Sequence, residues 1–146
     1  PEAQLTQSQL YGLVNAIRLK ETTYKSAGSV HGCALFRGDA MLTFVEDVGR
    51  HNAIDTIAGW MWIQESLAKH SNIALVEQTP YLLYTTGRLT SEMMIKSAQM
   101  QVPIVMSRSG TTEMGLQVAE QLGICAIGRA AHRRYLCFTG AERITP

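Results

Sequence analysis

The chain has 146 residues, of which 46% are hydrophobic, and a formal net charge of +1 at pH 7. This length fits one ordinary domain, and the hydrophobic share is enough for a sizeable core, which argues against disorder. A nearly neutral chain has no overall field that attracts nucleic acid or acidic membranes, so any positive site must come from local arrangement. No apolar run is long enough to span a bilayer.

The N-terminal sequence PEAQLTQSQLYG lacks a signal pattern and an initiator Met, so we interpret the chain as part of a longer one. The cysteines, Cys33, Cys125 and Cys137, are widely spaced in apolar segments and odd in number. This disfavours a disulfide framework and favours a reducing, cytoplasmic location. Buried, unreactive thiols are the simplest interpretation.

The first predicted elements are a helix and a β-hairpin. Ser8 is a candidate N-cap for a helix that continues to about Thr23, within a leading segment of residues 1–25. The hairpin consists of a strand HGCALFR (His31–Arg37), a tight turn at Gly38-Asp39 and a strand AMLTFVE (Ala40–Glu46).

Three alternations of helix and strand follow the hairpin. The first is a helix with Ala53, Ile54, Ile57, Ala58 and Met61 inward and a strand YLLYTT, and the second is a helix Ser91–Gln101 and a strand PIVMS. The third is a helix Glu113–Leu122, capped by Thr111 or Thr112 and ended by Gly123, and a strand ICAIG. After it, RYLCF (Arg134–Phe138) is predicted to be an edge strand. Such helices suit crossovers between parallel strands, so the second hairpin strand and the three later ones are expected to be mutually parallel. We therefore predict one α/β domain over residues 1–146, a three-layer α/β/α sandwich on a mixed, mostly parallel sheet.

Four arginines follow the predicted ends of strands: Arg50, Arg88, Arg108 and Arg129. If those strands are parallel, all four arrive at the sheet edge where open α/β proteins bind ligands. Helix N-termini there add unpaired N–H groups and positive dipole ends. The pattern predicts a site for a large polyanion, such as a nucleotide pyrophosphate.

The segment EDVGRHNAID (Glu46–Asp55) is the densest polar cluster. His51 and Asp55 lie four residues apart on one helical face and can hydrogen-bond. A simpler interpretation is a helix cap at Asp47 with Arg50 held by the neighbouring carboxylates. Capping needs one of these residues rather than five, which favours a functional role and makes His51 a candidate ligand contact.

Two loops between strand and helix are candidate phosphate sites. TTGRLTSE places Gly87 and Arg88 where freed backbone N–H groups could hold a phosphate, although an ordinary capped loop explains these residues equally well. SRSGTTEMG begins with Ser107 and Arg108, is rich in hydroxyls, and resembles the phosphate-binding loop of sugar isomerase domains.

The segment GRAAHRR follows a buried strand, which favours ligand binding over a merely solvated basic surface. Its candidate contacts are Arg129, Ala130, Ala131, His132, Arg133 and Arg134. His31-Gly32-Cys33 suggests metal binding, but a zinc deaminase requires His-x-Glu and then Pro-Cys-x-x-Cys, which the chain lacks, so we predict no metal site. No nucleophile with an adjacent base stands out, so the sequence indicates binding more clearly than catalysis.

Together these motifs resemble the formate dehydrogenase accessory protein family, the FdhD-type sulfurtransferases. The matching stretches are SAGSVHGCAL, EDVGRHNAIDTIAG, TTGRLTSEMMIKSAQMQVPIVMSRSGTTEMGLQVAEQLGICAIGR and YLCFTGAERI. They occur in family order and at family spacing from Ser26 to Ile144, and EDVGRHNAID is quite specific.

The resemblance implies a cytidine-deaminase-like fold without the zinc, and a homodimer that binds Mo-bis(molybdopterin guanine dinucleotide), of which GDP is a fragment mimic. Such proteins take sulfur from a cysteine desulfurase as a persulfide and pass it to molybdenum before the cofactor enters formate dehydrogenase. The family's cofactor-binding segment falls on Arg129–Arg134, within a cofactor-binding core of residues 26–146. Gly87, Arg88, Ser107, Arg108 and His51 are the further expected contacts.

The chain also departs from the family pattern. The sulfur-carrying Cys-x-x-Cys of the family lies N-terminal to the matched region and has no counterpart here, so we expect cofactor binding without catalytic residues in this chain. Thr56 replaces a usual lysine, Gly110 replaces a small residue followed by proline, and Arg129–Arg134 is unusually basic. Contacts with the cofactor are therefore expected to differ in detail.

Two alternatives stay open. One is a phosphosugar-binding or isomerase domain built on SRSGTTEMG, with EDVGRHNAID supplying acid and base. The other is a non-enzymatic docking domain that binds formate dehydrogenase or a desulfurase through a surface around Trp60 and Trp62. Neither nucleic acid nor a membrane is an expected partner.

Overall fold

The computed structural model describes residues 4–21, 31–70 and 80–146. The helices are α1 (Gln7–Glu21), α2 (Arg50–His70), α3 (Ser91–Gln99) and α4 (Glu113–Leu122). The strands are β1 (Leu5–Thr6), β2 (His31–Arg37), β3 (Ala40–Asp47), β4 (Tyr81–Thr85), β5 (Ile104–Ser107), β6 (Cys125–Ala131), β7 (Arg134–Thr139) and β8 (Ile144–Thr145), with a short 3-10 helix at Ala141–Arg143. None of the helices in these ranges is long and apolar enough to cross a membrane.

Six strands form the central sheet in the order β3-β2-β4-β5-β6-β7. Strand β2 is antiparallel to both β3 and β4, whereas β4, β5 and β6 are parallel to one another. Strands β3, β4, β5 and β6 therefore run in the same direction, as predicted. Strand β7 closes the sheet as an antiparallel edge strand, which confirms the prediction for RYLCF.

Helices cover both faces of this sheet. Helix α1 packs on one face, against residues that include Phe36 and Tyr84. Helices α2, α3 and α4 pack on the other, against residues that include Leu35 and Leu83. Consecutive strand residues thus enter opposite cores, as the two-residue period of a strand requires. The three-layer α/β/α sandwich is confirmed, and the cytidine-deaminase-like arrangement stays a prediction.

The start of α1 differs from the expectation that Ser8 is its cap. The Oγ1 of Thr6 accepts a hydrogen bond from the Gln9 N–H at 3.1 Å, and Gln9 Oε1 accepts one from the Thr6 N–H at 3.0 Å. This reciprocal capping box makes Thr6 the cap. Pairing of β1 with β8 then joins the start of α1 to the C-terminal part of the chain. The expected end at Thr23 lies outside the described residues.

The other helix ends follow their predicted signals closely. Thr112 Oγ1 accepts from the Gly115 N–H at 3.0 Å and so caps α4, while Gly123 ends this helix with a positive φ of 69°. Thr90 caps α3 in the same way. Helix α3 ends at Gln99, two residues before the predicted end at Gln101.

The basic segment GRAAHRR was expected to follow a buried strand, but its first four residues belong to that strand. Strand β6 continues through Ala131, and the turn at His132-Arg133 leads directly into β7. Arg129 and His132 adopt positive φ values of 50° and 53°, and the pairing of β6 with β7 shifts register between Gly128 and Ala131. The segment is therefore the far end of an irregular hairpin.

Candidate functional site

Four strands that run in one direction bring their carboxyl ends to one side of the sheet, which we call the carboxyl edge. It consists of residues 48–50 after β3, 86–90 after β4 and 108–112 after β5, together with Arg129 in β6. The predicted gathering of the four arginine positions at one edge is therefore confirmed. Open α/β sheets generally bind ligands at such an edge.

Backbone hydrogen bonds join the loops of the carboxyl edge to one another. The Arg108 N–H donates to the Thr85 carbonyl at 3.2 Å, and the Leu89 N–H donates to the Gly110 carbonyl at 3.0 Å. The Arg129 N–H donates to the Ser109 carbonyl at 2.9 Å. Each loop is thus held by its neighbour, which fixes the positions from which the arginine side chains extend.

The hydroxyl groups of SRSGTTEMG also serve these contacts. Ser107 Oγ donates to the Gly87 carbonyl at 2.6 Å, Ser109 Oγ to the Thr86 carbonyl at 2.8 Å, and Thr111 Oγ1 to the Leu89 carbonyl at 2.9 Å. A hydroxyl has one proton to donate, and a phosphate oxygen needs a donor. These hydroxyls therefore shape the edge and have no free proton to offer a phosphate.

Two of the predicted contact residues are buried at this edge. Ser107 is fully buried and also accepts the Ser109 N–H at 2.9 Å. The Gly87 N–H, expected to be free for a phosphate, donates to Thr85 Oγ1 at 3.1 Å. A Cβ at Gly87 would lie 3.1 Å from Cδ of Arg50, so the glycine permits close packing of that arginine.

The polar cluster EDVGRHNAID forms different pairs from those expected. Asp47 is the last residue of β3, and its Oδ1 accepts the Gly49 N–H at 2.9 Å instead of capping α2 directly. His51 lies 3.4 Å from the Glu92 carboxylate, and Asp55 lies 2.9 Å from Lys96 Nζ. The expected pair of His51 with Asp55 is thus replaced by two links from α2 to α3. His51 Nδ1 is buried without a hydrogen-bond partner.

Arg50 is not held by the neighbouring carboxylates, contrary to the expectation. Among the residues that the structure describes, no carboxylate lies within ion-pair distance of Arg50, Arg88 or Arg129. Arg108 is exposed overall, and partial burial lowers the pKa of its guanidinium, although arginine stays charged in proteins. The carboxyl edge therefore carries more uncompensated positive charge than the sequence suggested.

The basic hairpin lies beside this edge. The Arg129 guanidinium lies 3.6 Å from the position that a Cβ would occupy at Gly110. Arg133 and Arg134 lie further along the hairpin and, with Arg129, line a hollow of about 480 Å³ that also includes Tyr11 of α1. Ala130 is buried in the core, whereas Ala131 and His132 are exposed.

The sequence pattern gave no sign that α1 takes part. Tyr11 directly follows Leu10, which is fully buried in the core. An apolar residue beside a core position is ordinary in an amphipathic helix. Only the folded position of α1, across the sheet from the other helices, brings Tyr11 to the hairpin.

The thiols have the properties expected of buried cysteines. All three are free. Burial raises the pKa of the Cys33 thiol to about 11, despite a hydrogen bond with Thr85 that lowers it. Burial also raises the pKa values of Cys125 and Cys137. All three are therefore protonated at neutral pH and weakly nucleophilic. Within the described ranges, no group of three or more His, Cys, Asp or Glu side chains could hold a metal ion.

The two tryptophans of α2 have different environments. Trp60 is half-buried and packs against the core, while Trp62 is 69% exposed. Trp62 borders a groove of about 370 Å³ between α2 and α3. Only Trp62 of this pair is therefore largely available to a partner.

Comparisons with known proteins all find members of one protein family. The sequence model of the FdhD/NarQ family matches residues 1–145. The chain is 32% identical to a sulfur carrier protein FdhD from Shouchella clausii over 143 residues, which is 98% of this chain and 50% of that protein. It is 34% identical to the Bacillus subtilis protein of the same name over 122 residues, 84% of this chain and 43% of that protein.

A solved structure is also similar. The crystal structure of a formate dehydrogenase accessory protein from Desulfotalea psychrophila has a TM-score of 0.82 and 29% sequence identity to this chain. The similarity covers 98% of this chain and 57% of that one. The chain thus spans about half the length of the relatives that it matches.

Proposed function

Since this chain belongs to the FdhD/NarQ family, we propose that it forms the cofactor-binding part of a sulfur carrier for formate dehydrogenase maturation. The carrier would receive persulfide sulfur from a cysteine desulfurase and pass it to Mo-bis(molybdopterin guanine dinucleotide). The same proposal includes a homodimer in the cytoplasm. The names of the relatives support the sulfur-carrying role.

One observation carries the assignment of a cofactor-binding part. Arg50, Arg88 and Arg129 lie at the carboxyl edge without a carboxylate partner among the described residues. A guanidinium presents a rigid fork of donors that matches phosphate oxygens, often with two parallel hydrogen bonds. A cofactor with two guanine dinucleotide arms brings two pyrophosphate groups. Its charge and size suit an edge that carries several separate arginines.

The described residues suit the nucleotide arms of the cofactor, but they do not supply a group that could transfer sulfur to the metal. Arg50 and Arg129 at the carboxyl edge, and Arg133 in the hairpin, would bind the pyrophosphate groups of the cofactor. The described residues offer no thiolate for sulfur transfer, since Cys33 is buried and protonated. The cofactor supplies the molybdenum that accepts sulfur, and this chain would bind and orient it.

The phosphosugar alternative has lost its main support. It depended on free hydroxyls in SRSGTTEMG, and Ser107, Ser109 and Thr111 donate their protons to carbonyl groups of the 86–90 loop. Acid–base chemistry at EDVGRHNAID would also need His51 and Asp55 to be available, and both are paired with α3.

Calorimetric titration with GDP tests the proposal. We expect the chain to bind GDP, and we expect Arg133→Ala combined with Arg134→Ala to weaken binding by about 100-fold or more, since each charge-assisted contact contributes about 1.5–3 kcal/mol. Titration with a hexose phosphate, which the alternative predicts to bind, should give no comparable heat.

A charge-matched variant controls for the loss of two positive charges. Arg37 is the last residue of β2 and lies opposite Ala40 and Tyr81 in the neighbouring strands, at the end of the sheet away from the carboxyl edge. Arg143 donates a hydrogen bond to the Gly123 carbonyl, which follows α4. Arg37→Gln combined with Arg143→Gln should leave GDP affinity unchanged. Equal losses in both double variants, or no GDP binding by the unaltered chain, would refute the proposed site.

A further inference from the structure

A cleft lies between α1 and the turn that joins β6 to β7. Its volume is about 620 Å³, and its lining includes Tyr11, Asn15 and Arg18 of α1 and Arg133 of the turn. Small-molecule sites commonly have volumes of this order. The hollow that contains Arg129 shares Tyr11 and Arg133 with the cleft, so the two hollows adjoin at these side chains.

The side chain of Tyr11 is held in place within this cleft. Its ring centroid lies 6.1 Å from that of Tyr135 at an interplanar angle of 55°, a tilted arrangement that favours aromatic attraction. Tyr135 is itself fixed, because Gln7 Nε2 donates to its hydroxyl oxygen at 3.0 Å. Both rings are only partly buried. The cleft thus contains a positioned aromatic surface that is partly open to a ligand.

The permanently charged side chains that line the cleft are arginines. The guanidinium of Arg133 lies 5.9 Å from the Tyr11 ring centroid, and Arg18 lines the same space. Among the residues that the structure describes, no aspartate or glutamate side chain lines either hollow. An aromatic surface beside arginines without carboxylates favours a ligand that combines a flat ring with an anionic group.

The position of Arg129 indicates how such a ligand would be oriented in the cleft. Arg129 lines the hollow beside the cleft, and its guanidinium also lies next to Gly110 in the 108–112 loop. Phosphates bound at Arg129 and Arg133 would therefore lie between the carboxyl edge and the cleft. The remainder of a nucleotide would then extend toward Tyr11.

We propose that this cleft binds the base of a purine nucleoside diphosphate, with the base stacked on Tyr11 and the phosphates beside Arg133 and Arg129. The proposal rests on the proposed function and adds to it: α1 becomes part of the nucleotide site, and Tyr11 determines the preference for a nucleotide over a simple diphosphate. A purine offers a larger stacking surface than a pyrimidine.

The test compares GDP with inorganic pyrophosphate, which lacks a base, by calorimetry on the whole chain. Tyr11→Leu retains apolar volume at the core but removes the aromatic face, and Tyr11→Phe retains the ring. We expect Tyr11→Leu to weaken GDP binding by about tenfold or more, the usual effect of losing one base–aromatic stack. Pyrophosphate affinity should be unchanged, and Tyr11→Phe should behave like the unaltered chain.

The outcomes separate this inference from the function on which it rests. If the unaltered chain binds GDP and Tyr11→Leu binds it equally well, the base lies elsewhere and the inference is wrong. An equal loss for GDP and pyrophosphate would show that Tyr11 acts by placing Arg133, which also contradicts stacking. If the unaltered chain binds neither ligand, the proposed function itself fails. Thermal unfolding of each variant confirms that the fold is intact.

Discussion

A chain in which Arg50 and Arg129 are both replaced by glutamine is expected to lose GDP affinity by about 100-fold or more, because two charge-assisted contacts of about 1.5–3 kcal/mol each disappear. These arginines come from opposite parts of the carboxyl edge, one at the start of α2 and one within β6. Glutamine retains much of the side-chain length, so packing against Gly87 and Gly110 is largely preserved. Calorimetric titration measures the loss.

The single variant Arg50→Gln is informative on its own. If Arg50 were paired with local carboxylates, its replacement would leave GDP affinity unchanged. Because the described residues place no carboxylate within ion-pair distance of it, we expect a loss of about tenfold. A double variant that binds GDP as tightly as the unaltered chain would remove the carboxyl edge from the binding site.

Replacing Gly115 with alanine is expected to lower the free energy of unfolding by about 3 kcal/mol, the upper range for overpacking in a tight site. A Cβ at this position would overlap the carbonyl oxygen of Leu89. That oxygen is a backbone atom, and it accepts hydrogen bonds from the Thr112 N–H and from Thr111 Oγ1. The collision can be relieved only by moving the loops of the carboxyl edge, so GDP binding should fall as well.

The matched control is Gly59→Ala, also a change from glycine to alanine within a helix. Gly59 is exposed in α2, and no atom of the described residues lies within 4 Å of the position of its Cβ. Alanine there should raise the free energy of unfolding by up to about 1 kcal/mol, because glycine is a poor helix residue. Urea unfolding measures both variants. Equal stability of Gly115→Ala and the unaltered chain would contradict the close contact with Leu89.

The architecture could be predicted because local signals and global pattern agree. Thr112 and Gly123 define α4 at both ends, and the apolar residues of α2 recur at helical spacing. The alternation of helix and strand then determines that β3, β4, β5 and β6 run in the same direction. The gathering of the arginine positions at one edge followed from that direction alone.

The pairing of side chains could not be predicted, because it depends on contacts between segments far apart in the sequence. His51 and Asp55 are spaced to pair within α2, yet Glu92 and Lys96 of α3 lie close enough to replace that pair. The hydrogen bond of Ser107 could not be predicted for the same reason. Its hydroxyl resembles a phosphate ligand in the sequence but donates to the Gly87 carbonyl in the fold.

The extent of the site was also invisible in the sequence. The basic segment GRAAHRR was expected to follow a buried strand and lie at the ligand edge, whereas the pairing of β6 with β7 continues to its far end and carries Arg133 away from the strand ends. That displacement brings Arg133 to Tyr11, which is more than a hundred residues away in the sequence. No local pattern identifies a contact of this kind.

An amide NMR titration of the chain with GDP tests the central claim most directly, because it shows where the nucleotide binds. The account predicts that shifts cluster in the 86–90 and 108–112 loops and in the hairpin from Arg129 to Tyr135. The groove between α2 and α3, beside Trp62, provides the internal reference and should remain unshifted. Shifts that centre on that groove, or none at GDP concentrations that saturate calorimetry, would contradict a nucleotide site at the carboxyl edge.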